Sequence, residues 1–200
     1  MRNILSTLFA FGLATIASAQ FEIRPHVGTN FQNLTKSEDG TEWKGNPGFQ
    51  VGVNLMIGNQ FFLQPGIQYV SSKSELTFVA AGSTSSSATL TTSALRVPAV
   101  IGYRFVDPSD EPLLNLRIFG GALANFPLNA TFNEDGLEDV DVGSANYGLT
   151  AGAGLDISIF FVEAGYDIGL SNVFDDKDVT VDTKQNQFQV NAGLRLKMAQ

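Results

Sequence analysis

Cysteine is absent from this chain of 200 residues. That removes disulfides, thiolate metal sites, cysteine nucleophiles and the thiol that a lipoprotein anchor requires. Basic residues are scarce: 12 Lys and Arg stand against 20 Asp and Glu, for a net charge of −8. A chain this acidic lacks the basic footprint of a nucleic-acid binder, so no nucleic-acid partner is expected. His26 is the one imidazole. Long apolar runs are missing as well. Beyond Gln20 no stretch approaches the roughly 18 apolar residues of a membrane helix. If this chain spans a membrane it must do so as a closed sheet, because lipid offers backbone N–H and C=O groups no partner.

The first residues read as a secretory signal peptide. Met1-Arg2-Asn3 is a short basic start, and Ile4 to Ile16 is an apolar run broken by Ser6, Thr7, Gly12 and Thr15. Ala17-Ser18-Ala19 has the small-x-small pattern of a cleavage site, which predicts a signal peptide over 1–19 and a mature domain over 20–200. The run is too short for an uncleaved anchor.

The mature chain has period-2 alternation and little helical spacing. Eight alternating segments are read: Glu22 to Phe31, Gly48 to Ile57, Gln60 to Val70, Ala94 to Phe105, Leu114 to Phe126, Asn146 to Ile157, Phe160 to Leu170 and Gln187 to Lys197. In the second, Phe49, Val51, Val53, Leu55 and Ile57 oppose Gln50, Gly52, Asn54 and Met56. Each segment is close to the roughly 9–11 residues of a tilted membrane strand. Connections after segments two, four and six are short: Gly58-Asn59, Val106 to Leu113, and Ser158-Ile159. The others are long and polar. The expected fold is all-β: an eight-stranded antiparallel up-and-down transmembrane β-barrel, following a cleaved signal peptide. Its short turns and both termini would lie in the periplasm and its long loops outside the cell.

Alternation does not say which face is inside, and a soluble lipocalin-like barrel alternates too. Three features favour the membrane. The polar face is mostly Gly, Asn, Gln and Thr, with little charge. Aromatics on the apolar face cluster near segment ends, Phe31, Phe49, Tyr69 and Tyr147 at one end and Phe61, Tyr103, Phe105 and Phe160 at the other, as at two membrane interfaces. Loop lengths are asymmetric.

Several stretches carry a family resemblance. They are Leu95-Arg96-Val97-Pro98-Ala99, Phe119-Gly120-Gly121-Ala122, Gly152-Ala153-Gly154-Leu155, Glu163-Ala164-Gly165-Tyr166, Gly169-Leu170-Ser171-Asn172 and Phe188-Gln189-Val190-Asn191-Ala192-Gly193-Leu194-Arg195. With these the chain resembles the PorT-like outer-membrane β-barrel family of Gram-negative bacteria. The resemblance implies an outer-membrane location and assembly by the barrel-assembly machinery. It also brings a secretion-system protein into view as a partner, which membership alone does not imply. The motifs specify strands and turns, not a reaction. The chain departs from the pattern at its end: Leu196-Lys197-Met198-Ala199-Gln200 has no terminal aromatic, so recognition by that machinery rests on Phe188 or is weaker.

The inward charges are Arg24, Arg96, Arg104, Arg117, Arg195 and Lys197 against Glu22, Asp156, Glu163 and Asp167, and the candidate site is the group of them at the turn end. Strand direction places Glu22, Arg24, Arg104, Arg117, Asp156, Glu163, Arg195 and Lys197 in the periplasmic half of the lumen. An eight-stranded barrel is just wide enough to be filled by side chains. An ion-pair network closing the floor is therefore expected, with Arg195 reaching Glu163 or Glu22. An ion or proton path through the same groups is the competing reading.

His26 falls on the polar face without a recognisable nucleophile motif, so a hydrogen-bonded lumen residue is expected rather than a catalytic base. No cofactor and no enzyme activity are expected. In the third long loop Glu134, Asp135, Glu138, Asp139 and Asp141 are candidate Ca²⁺ ligands. Their spacing does not match an EF-hand, and a solvated acidic surface competes. The fourth loop adds Asp175, Asp176, Asp178 and Asp182. Leu76, Phe78, Leu90 and Leu95 suggest that strands three and four continue beyond the membrane as a hairpin.

The function read from the sequence is an outer-membrane barrel with a structural or surface-interaction role. Its partners would be membrane lipid, lipopolysaccharide and a surface protein. The alternatives are a small channel or transporter, a lipid-modifying enzyme, or a soluble binder.

Overall fold

The computed structural model describes residues 20–34, 41–78, 86–110, 112–132, 145–170 and 185–198. The expected signal peptide and the acidic candidates Glu134, Asp135, Glu138, Asp139 and Asp141 lie outside the described residues, as do Asp175, Asp176, Asp178 and Asp182.

The strands are β1 (Phe21–Leu34), β2 (Thr41–Gly58), β3 (Phe61–Phe78), β4 (Ser86–Arg104), β5 (Leu114–Phe132), β6 (Asn146–Ile157), β7 (Phe160–Gly169) and β8 (Gln185–Leu194). A two-residue strand, β9 (Leu196–Lys197), continues β8 past Arg195. Strands β1 to β8 each pair antiparallel with their sequence neighbours, β1 also pairs with β8, and β9 continues the β8 edge by pairing with β1. The sheet therefore closes into an eight-stranded up-and-down barrel with no edge around its wall.

Strand parity sorts the two faces. Phe61 and Ile101 are 78% and 69% exposed, whereas Arg24 and Gln50 are 0% and 1% exposed. The apolar face thus points outward and the polar face inward, as in a membrane barrel and opposite to a lipocalin-like one. Aromatic rings band both rims of the wall. Phe49 and Tyr69 (centroids 6.0 Å apart) and Phe31 and Phe188 (6.4 Å) lie at the long-loop end. Phe61 and Tyr103 (4.9 Å) and Tyr103 and Phe105 (5.5 Å) lie at the short-turn end.

Three short connections hold the turn end. Gly58 adopts φ +123°, a conformation that favours glycine, and its N–H donates to Gln20 O at 3.0 Å. Ser158 takes φ +53° to reverse the chain between β6 and β7. The third turn contains a 3-10 turn at Pro108–Asp110. The Asn115 amide fastens it by donating to Val106 O (2.6 Å) and accepting from Val106 N (3.2 Å).

At the loop end, β2 to β5 run longer than the alternating segments. The β3–β4 ladder continues to Phe78–Ser86 and the β4–β5 ladder to Leu90–Phe132. Backbone pairing persists there after the apolar alternation stops.

Candidate functional site

The lumen is packed by a repeated device: a large inward side chain lies over a glycine directly across the ladder. Phe62 covers Gly102, Phe119 covers Gly152, Phe161 covers Gly193, Asn54 covers Gly66 and Arg117 covers Gly154. A Cβ on Gly102 would stand 2.2 Å from the Phe62 ring. Each such glycine supplies the space that its partner fills.

At the turn end, the structure brings seven of the expected charges together. Glu22 pairs with Arg195 (2.8 Å), Arg104 (3.0 Å) and Arg24 (3.5 Å). Asp156 pairs with Arg24, with Arg117 (3.2 Å) and with Arg195 (3.4 Å). Glu163 takes the other side of Arg117 at 2.6 Å and accepts from Asn191 Nδ2 at 3.2 Å. Arg195 finds Glu22 and also donates to Ser158 O at 3.0 Å. Lys197 stands opposite Glu22 in the β1–β9 ladder but is exposed at the rim. Buried charges on this scale persist only when paired and hydrogen-bonded.

Phe161 lies inside this cluster and was not among the expected site residues. Arg24 packs over its ring at 4.2 Å and Arg117 at 5.5 Å, so the ring face meets two cations. The signal was available: in Phe160-Phe161, parity sends one ring outward and the other inward. Phe61-Phe62 works the same way, with Arg104 5.7 Å over the Phe62 ring. The Met56 sulfur also touches both Arg24 (3.2 Å) and Arg104.

A second brace crosses the lumen nearer the loop end, built on two expected inward charges that lie beyond the expected floor network. Arg96 on β4 pairs with Asp167 on β7 and donates to Gln187 (2.7 Å) and Gln189 (3.1 Å) on β8, the far wall. Amides join brace to floor. Gln50 donates to Gln189 at 2.7 Å and to Asn191, and Asn191 donates to Glu163.

His26 is buried in the lumen. Its Nδ1 is 3.2 Å from Arg24 O, its Nε2 has no hydrogen-bond partner among the described residues, and its ring meets Phe161 edge-on. Among the described residues no hydroxyl or carboxylate hydrogen-bonds it, and no cluster of metal-ligating groups is found.

Solved outer-membrane barrels share this architecture at low identity. OprG of Pseudomonas aeruginosa matches with a TM-score of 0.54 and 12% identity, over 91% of this chain and 97% of that one. Neisserial surface protein A matches at 0.53 and 14%, over 90% and 99%. Ail, the attachment invasion locus protein of Yersinia pestis, solved with the heparin analogue sucrose octasulfate, matches at 0.50 and 15%, over 88% and 99%. At these identities the likeness is one of fold. No curated protein matches the chain at a significant level. Residues 15–175 match the family described as Outer membrane protein beta-barrel domain, and with that span, a closed barrel and an outward apolar face, this chain belongs to that family.

Proposed function

We propose that this is a non-conducting outer-membrane barrel with a structural or surface-interaction role, its long loops facing out of the cell and both termini in the periplasm. The carrying observation is the Arg96 brace, which spans from β4 to β7 and β8 above a floor of paired charges. Two tiers of ion pairs across a barrel this narrow support a lumen filled by side chains rather than an open one. The expected test result is an absence of steady conductance steps when the purified, folded protein is added to a planar lipid bilayer. Large, stable steps would replace this reading with the small channel, which the amide-lined stretch around Gln50, Asn54, Gln64 and Gln68 favours.

A non-enzymatic role is supported by His26, whose ring meets a backbone carbonyl and an aromatic edge rather than a nucleophile. PorT-like kinship rests on the strand and turn motifs alone. The apolar wall contacts membrane lipid and the acyl region of lipopolysaccharide. A surface partner would meet the loops. Ail is seen with a polyanion, but this chain carries a net charge of −8 with acids grouped at 134–141 and 175–182. Like-charge repulsion favours a cationic partner, or divalent cations bridging to anionic lipopolysaccharide.

A further inference from the structure

Arg104 and Arg117 stand directly opposite each other in the β4–β5 ladder, and both are 0% exposed. Like charges in that relation destabilise a sheet. Each also keeps unmet donors: Arg104 Nε and Nη1, and Arg117 Nη1, have no hydrogen-bond partner among the described residues. A guanidinium cannot shed its proton to escape the cost.

The charge balance of the floor sharpens the point. Four arginines (Arg24, Arg104, Arg117 and Arg195) face three carboxylates (Glu22, Asp156 and Glu163), which leaves one positive charge in excess. A side-chain rotation could give one donor to Asp156 Oδ2, which accepts no hydrogen bond, but the excess would remain. Asp107, half-buried in the turn after β4, makes no salt bridge with the floor arginines among the described residues. It accepts from the backbone N–H of Ser109 at 2.9 Å, which with the nearby Arg104 charge holds its carboxyl below the usual carboxylate range.

We propose that the lumen floor is an anion site, in which one monovalent anion of halide size sits between Arg104 and Arg117 and accepts their unmet N–H groups. The surroundings select the ligand. Phe62 lies 5.7 Å from the Arg104 guanidinium and Phe119 lies 5.6 Å from that of Arg117, while the Met56 sulfur touches Arg104. Such close, soft and apolar neighbours suit a small, weakly hydrated ion of single charge, such as chloride. Phosphate is larger and would overshoot the one-charge excess. The site stands on the charge count and the unmet donors, so it is independent of whether the barrel conducts.

The test uses the full mature chain, folded in detergent. Crystals grown in sodium bromide are expected to show one anomalous bromine peak within hydrogen-bond distance of both Arg104 and Arg117. The thermal unfolding midpoint is expected to rise and then saturate with chloride, relative to gluconate at equal ionic strength. Arg104→Met, which removes the excess charge, should abolish that rise. If this variant does not fold, the bromide map and the wild-type comparison still decide. Water in place of bromide between the two arginines, or equal midpoints in chloride and gluconate, would overturn the proposal.

Discussion

Arg117 lies over Gly154, its partner across the β5–β6 ladder, so closely that a Cβ on Gly154 would stand 2.8 Å from the guanidinium carbon. The guanidinium has little room to retreat, because Asp156 and Glu163 hold it from two sides. Gly154→Val should therefore destabilise the barrel by about 1–3 kcal/mol, as overpacking does. Gly120→Ala is the control. That glycine faces outward, and an added Cβ would meet nothing closer than 3.5 Å, so the change should stay within about 0.5 kcal/mol. Urea unfolding in lipid or detergent reads both.

The Arg96–Asp167 brace should behave as a coupled pair. Asp167→Leu alone leaves a buried guanidinium with only neutral partners and should cost about 3–5 kcal/mol. Arg96→Met combined with Asp167→Leu should recover much of that loss, with a coupling of about 1–3 kcal/mol in the double-mutant cycle. Strictly additive single effects would show that the pair is not a unit.

Depth in the membrane should grade the cost of an outward charge. Ile67, 47% exposed, lies midway along the wall, whereas Phe61 lies at the turn-end rim beside Tyr103. Ile67→Arg should cost about 2–4 kcal/mol, and Phe61→Arg about 1 kcal/mol or less. Folding efficiency into lipid vesicles, followed by the gel shift between unboiled and boiled samples, compares the two.

Ser158 occupies the left-handed region at φ +53°. For an L-residue that costs about 1–2 kcal/mol, and glycine gives part of the gain back through the unfolded chain. Ser158→Gly should raise stability by roughly 0.5–1 kcal/mol. Its backbone carbonyl, which accepts from Arg195, is retained. A lower unfolding midpoint for the variant would show that the turn needs the serine side chain.

Much of the wall was legible in the residues. The alternation over Asn146 to Ile157 coincides with β6, and that over Phe160 to Leu170 runs one residue past β7. The expected hairpin extension of strands three and four past the membrane is present as the β3–β4 ladder out to Phe78 and Ser86, but β2 and β5 were read too short, because apolar alternation reports which face meets lipid, whereas pairing needs only backbone. The ladder beyond Tyr69 passes through Ser71, Ser72 and Ser74, which carry no apolar signal, yet it stays paired to Ser93, Thr92 and Leu90. The inward charges were readable from parity. Their partners were less so, because Arg24 and Asp156 meet across the lumen from strands far apart in sequence. Phe62, Phe161 and Met56 were hidden for a related reason: an apolar residue on a polar face looks like noise until the arginines that stack on it or touch it are in place.

Strand number and the division of each strand into two faces were determined by the sequence itself. These are local properties, set by period-2 alternation and by turn residues such as Gly58. The expected order of short and long connections was not kept: 35–40 and 79–85 are shorter than 105–113, because β1 to β4 run on past their apolar alternation. Only the tertiary structure decided which large side chain lies over which glycine, and that Arg96 crosses to the far wall while Arg104 and Arg117 are left face to face. Those outcomes depend on the register in which β1 meets β8 and on the diameter of the closed barrel. No single strand carries that information, because closure fixes the opposite side of the lumen only after all eight have paired.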